Sequence, residues 1–206
     1  SASNLKRSIK KFTDLSVIVI GDTIVDEFVF CQPLGVSSEA PVLVVKEQGS
    51  SRFVGGAGIV AKHIKSLGAS CHFISVLGCD EIASFVEVDI ANHGIENSLI
   101  RVPNRPTTLK KRYVADTQKV FRVSVLDDND VSEMIENQMI EVFEEKIIGH
   151  DCVIISDFVY GVITPRVLSE IMRLTSKHNI KLFGDLQCSS QIGDVLKFRH
   201  FDMIFP

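Results

Sequence analysis

The chain has 206 residues, 45% of them hydrophobic and 23% charged, with a formal net charge of −4. That balance is ordinary for a water-soluble domain long enough to bury a sizeable core, and its sign gives no electrostatic reason to expect nucleic acid or an anionic membrane as a partner. No apolar run approaches the roughly 20 residues that cross a bilayer, and the N-terminus has no signal-peptide pattern; Cys31, Cys71, Cys79, Cys152 and Cys188 are odd in number and widely spaced, so free thiols and a cytoplasmic location are expected.

In chain order, an amphipathic start over residues 5–12 leads into Val17-Ile18-Val19-Ile20-Gly21-Asp22, which reads as a strand over 16–21. Residues 28–54 change character: Phe28-Val29-Phe30 and Pro41-Val42-Leu43-Val44-Val45 are short β-type runs separated by Gly, Ser and Pro. A helix from Gly58 to Leu67 sets Val60, Ala61, Ile64 and Leu67 on one face and ends at Gly68, a good C-terminal glycine. Phe73 to Asp80 is a further strand-like run. Within 107–126, Arg112 to Ala115 and Val120 to Val123 flank Asp116-Thr117-Gln118, a hairpin signal. Residues 131–147 carry Val131, Ile135, Met139, Val142 and Phe143 at helical spacing, with Asp130 and Glu133 as a candidate capping box. Cys152-Val153-Ile154-Ile155-Ser156-Asp157 is a strand, Thr164-Pro165 opens a helix to about residue 177, and Ile180 to Asp185 is a strand again.

This alternation predicts an α/β fold with a mainly parallel sheet. The two β-rich insertions, 28–54 and 107–126, predict a small second sheet that serves as a lid. Four apolar runs end at or near an aspartate: Asp22, Asp80, Asp157 and Asp185. Continuous β-branched runs are typical of strands buried on both faces, and ligands of open parallel sheets sit beyond the strands' carboxyl ends. Carboxylates there suit a ligand rich in hydroxyls, although an aspartate at such an end also turns the chain or caps the next helix.

Gly55-Gly56-Ala57-Gly58 stands immediately before a helix, where bare backbone and free N–H groups favour an anion or a hydroxyl oxygen; a tight loop under a close helix–sheet contact is the plainer alternative. If residues 22–26 are extended, Asp22 and Asp26 lie on one side of the strand and could grip neighbouring sugar hydroxyls. Lys110, Lys111, Arg112 and Arg122 crowd the second insertion, with Lys110 and Arg112 on one face, either towards a phosphate or towards solvent or a second copy. The six histidines are scattered and His63 reads as a surface residue. No zinc spacing, serine-hydrolase elbow, Walker loop or dinucleotide glycine fingerprint is present.

Taken in order, Val19-Ile20-Gly21-Asp22-Thr23-Ile24-Val25-Asp26, Ser38-Glu39-Ala40-Pro41-Val42 and Gly55-Gly56-Ala57-Gly58 resemble the ribokinase (PfkB-type) sugar kinases over about residues 15–206. The Ser-Glu-Ala-Pro-Val run and Ser156-Asp157-Phe158-Val159-Tyr160-Gly161 look most like the heptose-phosphate kinase branch, which serves ADP-heptose synthesis. The resemblance implies a three-layer α/β/α ribokinase-like domain spanning 1–206, lacking the family's C-terminal part. It implies transfer of the ATP γ-phosphoryl group to a sugar or sugar-phosphate hydroxyl, with ATP and Mg²⁺ as cofactors and a homodimer through the lid. Asp22, Asp26, Gly55, Gly56 and Ala57 would hold the sugar, Glu39 and Arg112 would stand on or near the lid, and Asp157 and Asp185 would border the phosphate or metal side. The family's catalytic base belongs to a Gly-Ala-Gly-Asp segment expected beyond Pro206, so no residue of this chain is expected to be catalytic. Ile59 stands where the family has a sugar-contacting asparagine, Tyr160 where the heptose branch has lysine, and Asp185-Leu186-Gln187 where it has Asp-Pro-Lys. Those departures leave open a rival reading, a non-catalytic sugar- or nucleotide-binding module.

Overall fold

The computed structural model describes residues 9–116, 118–187 and 193–205. Residues 11–14 form a single 3-10 turn; residues 5–8 of the amphipathic start expected over 5–12, and Cys188, lie outside the described residues. The first strand, β1 (Ser16–Gly21), runs directly into β2 (Thr23–Val36), which turns back as β3 (Leu43–Gly56). Helix α1 (Ala57–Ser66) and strand β4 (Ser70–Gly78) follow, then α2 (Glu81–Asn92), β5 (Glu96–Val102), β6 (Leu109–Ala115), β7 (Gln118–Val125), α3 (Glu133–Lys146), β8 (Cys152–Asp157), α4 (Pro165–His178), β9 (Lys181–Leu186) and β10 (Met203–Phe205).

Six strands form an all-parallel sheet in the order β10-β9-β8-β1-β4-β5. Strands β1, β4, β8 and β9 are the apolar runs of the sequence, and both faces of the sheet are covered, as parallel sheets require. On one face Ile18, Ile20, Val153 and Ile155 pack with Ile135, Met139 and Phe143 of α3 and Val167, Leu168 and Ile171 of α4. On the other, Val17, Val19 and Phe73 pack with Ala57 and Ala61 of α1 and Ile82, Val86 and Ile90 of α2. The result is the expected three-layer ribokinase-like α/β arrangement.

The two β-rich insertions pair with each other as a second, mixed sheet in the order β3-β2-β6-β7. Strands β2 and β3 are antiparallel from Thr23↔Gly56 to Val36↔Leu43, β2 and β6 are parallel, and β6 and β7 form the antiparallel hairpin. Val25, Val54 and Leu109 anchor this sheet in the α1/α2 side of the core. Beyond that anchor it exposes apolar residues, among them Phe30, Leu34, Val36, Phe121 and Val125.

Helix ends follow local chemistry with two differences. Thr164 Oγ1 accepts from Val167 N–H and caps α4, as the Thr-Pro pair predicts. The expected Asp130/Glu133 capping box does not form: α3 starts two residues later, with Ser132 as N-cap and no side-chain cap bond. The reason is tertiary, since Val131 N–H donates to Gly161 O at 2.9 Å and holds the preceding residues out of the helix. Asp80 is more than a turn residue. Its Oδ1 accepts from Ala83 N–H at 2.8 Å and caps α2, a helix absent from the sequence reading. Among the described residues Cys31, Cys71, Cys79 and Cys152 are free thiols, and no helix is long and apolar enough to cross a membrane.

Candidate functional site

Parallel neighbours β9, β8, β1 and β4 bring Asp185, Asp157, Asp22 and Asp80 to one edge of the main sheet. Asp22 sits at the joint where β1 passes into the second sheet. The joint is pinned from below by Ser75 Oγ, which donates to Gly21 O at 2.6 Å and shares a 2.7 Å bond with Thr23 Oγ1. Asp22 N–H donates to Ser156 O, and Asp22 O accepts from Ala57 N–H, the first amide of α1, at 2.8 Å. Gly56 makes this approach possible: its φ is +60°, and a Cβ there would stand 2.3 Å from Asp22 O. The tight-loop reading of the glycine run therefore holds, with Gly56 buried against the Asp22 main chain.

That carboxyl is buried to 1% exposure. Its Oδ2 accepts from Phe158 N–H at 2.7 Å and from Tyr160 N–H at 3.4 Å. Its Oδ1 is equally buried and has no hydrogen-bond partner among the described residues. Burial, with the neighbouring Asp157 carboxylate adding to it, pushes Asp22 up to about 7, against the pull of the Phe158, Tyr160 and Val162 amides. A buried acceptor with no donor is costly to leave so, and burial beside a second carboxylate is an environment that functional carboxyls share with structural ones.

Asp26 has a different environment. It lies on β2 and forms an ion pair with Arg112 of β6, while a Cβ on Gly55 would come within 2.9 Å of Asp26 Oδ2. Arg112 also sits 5.5 Å from the centre of the Phe28 ring. So Asp22, Asp26, Gly55, Gly56, Ala57 and Arg112 gather where the two sheets meet, but the two carboxylates have separate partners. Glu39 stands apart, exposed at the tip of the β2–β3 hairpin, its N–H on Ser37 Oγ. At about 3.3 Å per residue, the hairpin tip is roughly 30 Å along the strand from Asp26.

Lys110 and Arg112 share a face of β6, as alternation predicts, and meet different things. The buried Lys110 ammonium lies 5.1 Å from the centre of the Tyr160 ring and 5.9 Å from that of Phe158. A cation therefore reaches the 158–160 turn from the second sheet, at the residue where the sequence reading found a lysine replaced by Tyr160. Lys111, in contrast, faces the buried Glu27 with Arg52 and Ser50.

Asp157 is buried beside Asp22; its Oδ1 accepts from Val159 N–H at 2.7 Å and its Oδ2 pairs with Lys197. Asp185 accepts from Ser156 Oγ at 3.1 Å and from Gln187 Nε2 at 2.7 Å. Both carboxylates are thus engaged within the chain, and no three His, Cys, Asp or Glu side chains among the described residues come together as a metal cluster. Mg²⁺ is commonly held by one or two carboxylates together with a ligand's phosphates, and Asp157 would have to give up Lys197 to serve so. A cavity of about 660 Å³ opens beside Asp157 and Lys197. The Lys197 pairing spans 40 positions of sequence and leaves no local signal.

The described arrangement defines an α/β protein with a buried, half-satisfied carboxyl at the strand end where a second sheet crosses the first. Residues 14–206 match the family described as pfkB family carbohydrate kinase, and the chain belongs to that family. It is 34% identical over 170 residues to the bifunctional protein HldE of Campylobacter jejuni, covering 82% of this chain and 35% of that protein. With the bifunctional protein HldE of a Bradyrhizobium species it is 35% identical over 184 residues, covering 84% and 38%. The chain thus spans little more than a third of the length of these relatives. The structure of Arabidopsis thaliana ribokinase complexed with ribose and ATP superposes with a TM-score of 0.66 at 13% identity, over 92% of this chain and 59% of that one. Ribokinase from Giardia lamblia gives 0.66 at 14% identity, over 92% and 61%. These two likenesses show the fold.

Proposed function

We propose that this chain is the sugar-binding part of a kinase that transfers the ATP γ-phosphoryl group to a hydroxyl of a sugar or sugar phosphate. One observation carries the reading: Asp22 Oδ1, buried and lacking a donor at the joint of the two sheets. A sugar hydroxyl is a neutral donor of the kind that oxygen lacks, and donating to it favours the ionised carboxylate. Asp26, braced by Arg112, offers a second acceptor, and Gly55, Gly56 and Ala57, buried against Asp22 and Asp26, hold the two carboxylates at the joint. Lys110 and Arg112 supply positive charge on the same side, which supports a ligand carrying phosphate as well as hydroxyls; a heptose phosphate is the first such ligand to try. ATP and Mg²⁺ enter from the family, with no described residue assigned to either, and a cytoplasmic location follows from the use of ATP. None of Asp22, Asp26, Asp157 and Asp185 is assigned as the base that takes the hydroxyl proton.

The exposed apolar face of the second sheet supports a further element of the reading, a homodimer formed through the lid. A second function is favoured by the internal pairing of Asp157 and Asp185 and by Ile59 in α1: a sugar-binding module without catalysis. Calorimetry on this chain, and an ATP-coupled phosphorylation assay on the full-length gene product across pentoses, hexoses and heptose phosphates, separate the two. Binding with turnover supports the kinase. Binding without turnover supports the module, and a folded protein that binds no sugar overturns both.

A further inference from the structure

Two straps join the second sheet to the main one: residues 103–108, from β5 to β6, and residues 126–132, from β7 to α3. Arg105 lies in the first strap with a side chain only 11% exposed. Its Nη1 donates to Asn129 O and its Nη2 to Asp127 O, both at 2.9 Å, and both acceptors belong to the second strap. Nη2 also donates to Tyr160 O, in the turn that follows β8. That turn is otherwise hard to hold. Val159 adopts φ +61°, the left-handed region that a β-branched residue avoids. Gly161 follows at φ +79°, so close that a Cβ would stand 2.0 Å from Asn129 O. Such conformations persist where the surroundings over-determine them, and they concentrate at functional sites. The turn's product is the pair of amides, Phe158 N–H and Tyr160 N–H, that grip Asp22 Oδ2.

We infer that Arg105 is a positioning residue: its guanidinium ties both lid straps to the 158–161 turn, so that the placement of the lid sets how the Asp22 carboxyl is held. Its hydrogen bonds go to three main-chain carbonyls from two distant segments, with the Asp127 carboxylate 3.9 Å from Nη1, a pattern that suits the planar, multi-donor fork of arginine. The charged group acting on Asp22 is Asp157 at the end of β8; Lys110 of β6 lies against the Tyr160 ring of the same turn. Thr107 of the same strap provides an internal comparison. Its N–H and Oγ1 bind Asp80, and its Oγ1 also accepts from Gly78 N–H, all on the β4 side and away from the turn.

The inference rests on the reading of Asp22 as the ligand-holding carboxyl, yet its test needs no sugar. Carboxyl-labelled aspartate in the otherwise unlabelled protein allows the Asp22 titration to be followed by NMR, assigned with Asp22→Asn. Arg105→Gln and Arg105→Lys should both raise the Asp22 midpoint by about half a unit or more, because weakened amide bonds favour the protonated form, while Thr107→Val leaves it in place. A shift in Arg105→Gln alone would mean that charge acts and geometry does not. An unmoved midpoint in a folded Arg105→Lys protein, or an equal shift in Thr107→Val, overturns the inference. Sugar calorimetry on the same proteins is read separately: failure of the unsubstituted protein to bind sugar sinks the proposed function and leaves the Arg105 result standing.

Discussion

Asp22 and Asp157 lie side by side at the ends of adjacent parallel strands, each 1% exposed, with Lys197 paired to Asp157. Lys197 neutralises Asp157, whereas Asp22 faces that carboxylate with amides and is pushed up to about 7. The native state therefore holds a proton on Asp22 that the unfolded chain, at 3.8, gives up. Stability from this group is full below the unfolded value and is lost as pH rises through about 7. A change of that size is worth on the order of 4 kcal/mol. Asp22→Asn keeps an acceptor for the Phe158 and Tyr160 amides and removes the ionisation. Relative to the unsubstituted protein it should gain melting temperature between pH 5 and pH 8, by several degrees. Equal differences at both pH values in thermal unfolding would refute the assignment.

Removing Lys197 tests the other half of the pair. Lys197→Met leaves Asp157 buried and unpaired beside a second carboxyl, which should cost on the order of 2–3 kcal/mol, less than a fully buried pair because Lys197 is a quarter exposed. Asp157→Asn in the same background removes the stranded charge and should restore most of that loss. A denaturant double-mutant cycle gives the coupling directly. A coupling near zero would show that solvent, not Lys197, compensates Asp157.

These relationships mark the limit of what the sequence shows. Strands β1, β4, β8 and β9 are legible because burial on both faces demands unbroken apolar runs. The β6–β7 hairpin is legible because Asp116 and its neighbours break two alternating segments. Helix α2 is hidden because Asp80 looks the same as a turn residue and as a cap, and only the Ala83 amide distinguishes them. Asp22 and Arg112 are legible as residue types at strand ends and in an insertion. Their partners are not. The amides on Asp22 come from 136 and 138 positions away and the carbonyl on Arg105 from 55, and no local pattern encodes a contact of that range. Glu39 is the converse case, a residue in a recognisable run that the β2–β3 hairpin carries to its far tip.

His72 gives a second pH dependence, opposite in sign. It is buried on β4, its Nε2 bonded to Ser98 Oγ at 3.0 Å, and burial, with help from the Lys146 charge, holds it below the usual histidine value. The native state resists a proton that the unfolded chain accepts near 6.5, so stability falls as pH drops below that value. This slope runs against that of Asp22 over the same acid range, and the two partly cancel in the unsubstituted protein. In an Asp22→Asn background the histidine limb should stand alone as a loss of melting temperature from pH 7 to pH 5. Adding His72→Gln, which can still bond Ser98, should flatten it. If the limb survives the second substitution, another group carries it.

Gly56 offers the sharpest test of the joint itself. Its φ of +60° and the 2.3 Å separation between a Cβ and Asp22 O exclude a side chain unless β1 and α1 move apart. Gly56→Ala should therefore cost more than about 2 kcal/mol, well above the penalty for alanine in an open left-handed turn. The loss should fall on the Asp22 contacts first, because Ala57 N–H donates to the same Asp22 carbonyl. Gly149 is the comparison. It too has positive φ, at +87°, but a Cβ there meets nothing within 4 Å. Its alanine variant should lose no more than about 1 kcal/mol. Hydrogen exchange at Ala57 and Phe158 then separates the cases: faster exchange at both amides in Gly56→Ala, and unchanged exchange in Gly149→Ala. Equal destabilisation by the two alanines would mean that backbone conformation alone, and not the closeness of the joint, requires glycine at position 56.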